Sequence, residues 1–137
     1  MSSQYRNKSD LFLESAEKLL EKYIYVAVPH CAYYSCYQII KVIWLDVMGK
    51  TDQDIENMIT AKNVKTGSHN FLIEEILKFS NSILKDQKEY RSLRNGIHQL
   101  KTLRTKSDYE DESITYDIGK KAIDLAKEIL IILKKIK

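Results

Sequence analysis

Apolar residues recur every three or four positions along most of this chain, the spacing of one face of an α-helix. Phe12, Ala16, Leu19, Leu20 and Tyr23 form the first such stripe, and Ser9 before Asp10 is good N-terminal capping chemistry. Together they predict a helix over about residues 9 to 25, preceded by a flexible polar start at residues 1 to 8. Pro29 suits the first turn of a second helix, over about 29 to 48. That segment is apolar nearly all round, from Cys31 and Tyr33 to Trp44 and Val47, so it belongs in the middle of a bundle. Gly49 is placed to cap its end.

A short helix is expected over about 51 to 60, then a loop from Asn63 to Ser68. Ser68 can cap a helix carrying Leu72, Ile73, Ile76, Leu77 and Phe79. Asn81 and Ser82 mark either a break or a kink in a longer helix. A basic helix follows over about 83 to 107, with Leu93, Ile97 and Leu100 on its apolar face. Gly96 within it costs up to about 1 kcal/mol relative to Ala, which a close helix crossing or a partner's approach would explain. The last helix starts at Ser113 or Thr115 and buries Ile118, Ala122, Ile123, Ala126, Ile129, Leu130, Leu133 and Ile136. No segment has the alternation of a strand. The fold class is all-α: an up-and-down antiparallel bundle of five to six helices, in one domain over residues 1–137.

Composition agrees. Four Gly and one Pro in 137 residues leave little turn chemistry, and 30% charged residues is ordinary for a globular chain. The net charge of +3 is unevenly spread: seven Lys or Arg lie between Lys85 and Lys106, against Asp86 and Glu89 alone. That run reads either as a solvated helix face or as a polyanion-binding one. Cys31 and Cys36, five apart on one helix, stand roughly 8 Å apart and cannot pair. With no zinc spacing around them, they fit a reducing, cytoplasmic setting. No run approaches the roughly 18 apolar residues of a membrane span.

The apolar stripe of the basic helix is interrupted at Arg104, with Asp108 one turn on and Tyr109 beside it. The pair can be a structural ion pair that locks the helix against Tyr33, Tyr34 or Tyr37. It can also be a cleft arginine that binds phosphate, with Tyr109 or Tyr34 stacking on a nucleotide. Arg91, Arg94, His98 and Lys101 line one side of the same helix. A histidine among cations could take a proton from a ribose 2′-hydroxyl while the cations stabilise the transition state, a route to RNA cleavage without metal. His30 and His69 stand singly near helix starts and are expected to be surface or capping residues. No transition-metal site and no cofactor motif is expected: there is no closely spaced histidine pair, no phosphate-binding Gly-Lys loop and no dinucleotide fingerprint.

Two stretches carry a family likeness: Ala32-Tyr33-Tyr34-Ser35-Cys36-Tyr37-Gln38 and Leu103-Arg104-Thr105-Lys106-Ser107-Asp108-Tyr109-Glu110. The chain resembles the HEPN superfamily, in its prokaryotic branch with an Arg-x-x-x-Asp-Tyr signature, over about residues 9 to 136. The resemblance implies a helical bundle, often a homodimer. Many relatives are metal-independent endoribonucleases of toxin–antitoxin, abortive-infection or other phage-defence modules, and some partner a nucleotidyltransferase. Their usual motif is an Arg, four to six residues, then a His, assembled across the dimer. Arg104 matches the arginine, and Tyr109 stands where the histidine would be. Arg91 and His98 also have a permitted spacing, but earlier on the helix. The expected function is RNA or nucleotide binding, with cleavage possible through Arg104, Tyr109 and His98. Binding is expected through Arg91, Arg94, Lys101, Asp108 and Tyr34. The alternatives are a non-catalytic dimeric interaction module partnering a nucleotidyltransferase or other effector, and a bundle whose polar cluster only fixes packing.

Overall fold

The computed structural model describes residues 3–65 and 67–136. Six α-helices account for most of them: α1 (Ser3–Glu21), α2 (Val28–Val42), α3 (Asp52–Ala61), α4 (Ser68–Ile83), α5 (Gln87–Tyr109) and α6 (Tyr116–Leu133). The architecture is an all-α bundle, as the periodicity predicts, with no strand among the described residues. No helix among them is long and apolar enough to cross a membrane.

α2 is the central element and packs against α1, α5 and α6. The reason lies in its sequence: Val28, Ala32, Tyr33, Cys36, Ile39, Ile40 and Val42 are all buried, and they cover more than one helix face. Leu93, Ile97 and Leu100 of α5 and Ala122, Ile123, Ala126, Ile129, Leu130 and Leu133 of α6 meet it in one continuous core. Gly96 permits the α5–α6 crossing, because a Cβ built there would lie 3.1 Å from Ile129 Cγ1. α2 runs on through a π-helical segment, Ile43–Val47, and stops at Gly49 with φ +67°, the left-handed conformation expected of a glycine cap. Thr51 and Asp54 then close a reciprocal capping box on α3.

Several boundaries differ from the sequence expectation. α1 begins at Ser3, so the flexible start expected through residue 8 is helical from that point. Ser9 is not the cap but a buried residue, and its hydroxyl donates to the Ser35 carbonyl of α2 at 2.7 Å. Its burial against α2 overrides its capping preference. Tyr23 falls outside α1, exposed and with φ +64°. Gly67 rather than Ser68 is the N-cap of α4. That helix continues through Asn81 and Ser82 to Ile83, with the Ser80 and Ser82 hydroxyls donating back to the Ile76 and Phe79 carbonyls. α5 therefore starts late, where Asp86 Oδ1 accepts the Lys88 N–H at 2.9 Å.

Three elements converge where the chemistry is expected. The tyrosine face of α2, the first turn of α4 and the last turns of α5 meet at one end of the bundle. A short 3-10 turn, Tyr25–Ala27, is tied to α5 by the Ser107 hydroxyl, which donates to the Val26 carbonyl.

Candidate functional site

Arg104 continues the buried stripe of α5 by position, and its side chain is only 15% exposed. A guanidinium that far from solvent needs acceptors. Its Nε donates to Asp108 Oδ2 at 3.0 Å, and a terminal nitrogen donates to Tyr34 Oη at 3.2 Å. The rings of Tyr33, Tyr34 and Tyr109 lie 5.3, 5.5 and 5.5 Å from Cζ, so the cation sits against three π faces. A guanidinium has five N–H donors. Two are engaged here, which leaves donors for a ligand. The i, i+4 pairing on α5 and the contact with the α2 tyrosines are both as the spacing predicts.

Asp108 Oδ2 also lies 3.0 Å from His30 Nδ1, so one carboxylate oxygen joins an α2 histidine to the α5 arginine. The His30 ring packs on Tyr34 with centroids 4.7 Å apart. His30, Tyr34 and Tyr37 are spaced i, i+4, i+7 on one face of α2, a pattern legible in the sequence. His69 comes from the first turn of α4. Its ring stacks on Tyr37 at 4.0 Å with planes 18° apart, and its Nδ1 lies 3.3 Å from Tyr33 Oη.

Tyr34, Gly67, Ser68, His69, Lys101 and Arg104 line an open cleft of about 370 Å³. Its floor is aromatic and its α5 wall is cationic. Burial, aided by the nearby Arg104, Lys101 and Lys41 cations, lowers the His69 pKa below its ordinary 6.5, so the imidazole is neutral at pH 7. Burial and the Arg104 charge also lower the Lys101 ammonium, against the opposing pull of Glu74. Burial raises the phenol pKa of Tyr33 and, to about 12, that of Tyr37, so both hydroxyls stay protonated at neutral pH.

The other expected site residues are distributed differently. Tyr109 is 72% exposed and lies at the rim, its ring over Arg104. His98 is exposed, with Nε2 3.7 Å from Glu74 Oε1, and opens on a neighbouring groove with Thr102, Thr105 and Glu110. Lys101 lines both depressions. Arg91 and Arg94 are exposed further up α5. Thus Arg104, Asp108, Tyr34 and Tyr109 gather into one cluster, while His98, Arg91 and Arg94 lie along the outer face of the helix. Sequence reasoning missed His30 and His69, which stood as isolated helix-start residues. For His69 no local signal existed, because its neighbours come from α2 and α5.

The two cysteines are free, and Cys36 is buried with its thiol raised to about 12. Among the described residues no three His, Cys, Asp or Glu side chains are grouped so as to hold a metal ion.

Comparison with known proteins agrees with this architecture. No curated protein and no solved structure matches the chain. The family model described as HEPN domain matches residues 2–136, nearly the whole sequence and all six helices. The chain belongs to the HEPN domain family.

Proposed function

We propose that this HEPN domain binds RNA or a nucleotide through the Arg104 cleft and acts as a metal-independent endoribonuclease. The observation that carries the reading is the state of Arg104. Asp108 and Tyr34 hold its guanidinium at fixed height, with donors to spare, on the wall of a cleft that also presents Lys101. A phosphate has the charge and the acceptors for that wall. The aromatic floor of Tyr34 and the exposed ring of Tyr109 give bases a surface to stack on. Arg91 and Arg94 extend the cationic track along α5, where a longer strand would continue.

The resemblance to HEPN nucleases supports cleavage and assembly as a homodimer, within a toxin–antitoxin or phage-defence module. The two free thiols suit a cytoplasmic setting. A fluorescence-anisotropy titration with a short single-stranded RNA tests the binding step. Tight binding that weakens steeply with salt and with Arg104→Ala is the expected result. Equal binding by wild type and Arg104→Ala would reject the cleft as the binding site.

A second reading rests on a different feature. Tyr23, Ile24, Val26 and Tyr116 are exposed, and the Tyr25 ring is edge-on to both Tyr23 and Tyr116. This apolar patch adjoins the Arg104 end of the bundle and favours a non-catalytic interaction module that docks a nucleotidyltransferase or other effector. RNA binding that is absent at low salt, with Val26→Asp abolishing capture of a co-expressed partner, would favour it.

A further inference from the structure

We propose that His69 is the general base of this domain: in the Arg104 cleft it takes the proton of a ribose 2′-hydroxyl, the role left open at Tyr109. This rests on the reading of the cleft as an RNA site and adds a residue from another helix to it.

The placement argues for it. His69 lines the same cleft as Arg104 and Lys101, whereas His98 faces Glu74 over the neighbouring groove. The ring is held by two contacts, the stack on Tyr37 at 4.0 Å and the 3.3 Å approach of Tyr33 Oη to Nδ1. In the tautomer whose Nδ1–H donates to Tyr33 Oη, Nε2 keeps a lone pair. Such orientation of one ring nitrogen by a fixed partner is what a catalytic imidazole requires. His30 differs, since its Nδ1 is committed to Asp108 and it serves the arginine's anchor.

The charged and titratable groups around the ring are Tyr33, Tyr34, Tyr37 and Lys41 from α2, and Lys101 and Arg104 from α5. None of them is a carboxylate. Partial burial, aided by the three cations, lowers the imidazole pKa below its ordinary 6.5, so the ring is available as a base at neutral pH without a carboxylate partner. Tyr109 carries a phenol at the exposed rim and is better suited to stacking.

The step balances without metal or oxidant. His69 Nε2 accepts the 2′-hydroxyl proton. The 2′-oxygen bonds to phosphorus, the bond from phosphorus to the 5′-oxygen breaks, and the imidazolium returns its proton through water to that departing oxygen. The products are a 2′,3′-cyclic phosphate and a 5′-hydroxyl. Arg104 and Lys101 stabilise the charge on the phosphoryl oxygens in between.

The test uses the full chain in EDTA with a labelled single-stranded RNA. Binding is measured in parallel on the same RNA made with 2′-deoxyribose. Wild type should cleave and leave cyclic-phosphate ends. His69→Gln should slow cleavage by about 100-fold or more, with the affinity for the deoxy strand unchanged. Added imidazole should restore part of the rate to His69→Ala, which a purely structural role would not allow.

Wild-type cleavage by His69→Gln, or an equal loss of binding and cleavage, would overturn the assignment. So would a wild type that binds RNA but leaves it intact, and in that case the binding reading survives. A wild type that does not bind RNA removes both. Should the His69 variants not fold, the wild-type pH–rate profile decides. The rise should pass its midpoint below pH 6.5, the ordinary imidazole value; a rate still climbing above about pH 8 excludes a histidine base.

Discussion

Asp108 Oδ2 accepts the Arg104 Nε–H at 3.0 Å, one turn apart on α5, with the two side chains 15% and 23% exposed. The pair is neither a surface ion pair nor a fully buried one. The carboxylate fixes where the guanidinium points, and Tyr34 fixes it from the other side. The arginine therefore serves structure through two of its donors and keeps the others for a ligand.

Arg104→Ala removes two hydrogen bonds, three cation–π contacts and a charge partner of Asp108. Between the surface and buried limits for ion pairs, the expected cost is about 1 to 3 kcal/mol. Urea unfolding followed by circular dichroism measures it. Asp108→Asn should cost less, since the amide oxygen still accepts from Nε, but should loosen the arginine and weaken RNA binding. A loss of stability in Arg104→Ala without any loss of RNA affinity would leave the cluster with a packing role only.

Lys101 sits on the cleft wall without burying its charge fully. Each phosphate contact contributes about one unit to the slope of log affinity against log salt. Lys101→Ala should therefore flatten that slope by about 1 and weaken binding across RNA sequences alike. An unchanged slope would place the phosphates elsewhere along α5, at Arg91 and Arg94.

His69 also links stability to pH. Its folded pKa lies below the ordinary 6.5 because burial and three cations disfavour the charged ring. Well above pH 6.5 the ring is neutral in both states and costs nothing. As pH falls below 6.5 the unfolded chain takes up the proton first, so stability is lost until the folded form protonates too. Wild type should lose stability between pH 7 and pH 5, and His69→Gln should lose less over the same interval. Parallel curves for the two proteins would argue against a depressed His69.

Gly96 tests the α5–α6 crossing. Alanine there gains up to about 1 kcal/mol in helix propensity. Its Cβ meets the Ile129 side chain at 3.1 Å, inside a core where Ile129 is 1% exposed. Overpacking of that kind costs about 1 to 3 kcal/mol, so Gly96→Ala should be net destabilising. In an Ile129→Ala background the same change should become stabilising. The sign reversal is read from two thermal melts in each background.

The helices were legible in the chain because each buried stripe is local. Leu93, Ile97 and Leu100 are three and four apart, and all three are buried. The capping chemistry was legible at Gly49 and, as one of two choices, at Thr115. Ser9 misled because its hydroxyl bonds to the carbonyl of Ser35 on another helix, a contact no local pattern announces. Asn81 and Ser82 read as a break or a kink, and the helix runs through them to Ile83, with the Ser80 and Ser82 hydroxyls turned back onto α4 carbonyls.

The amino-acid sequence by itself determined the all-α bundle, the central place of α2, the family, and the Arg104–Asp108 pair. Each of these follows from spacing within one helix or from a contiguous signature. Only the tertiary structure decided which histidine shares a cleft with the arginine. His98 lies six residues from Arg104, but it points to Glu74. His69 lies on another helix, yet packing of the first turn of α4 on Tyr33 and Tyr37 sets it beside Arg104 and Lys101. A helix turns its residues through 100° at each step. Nearness along α5 therefore did not mean nearness at the site, and the packing of α4 on α2 supplied it.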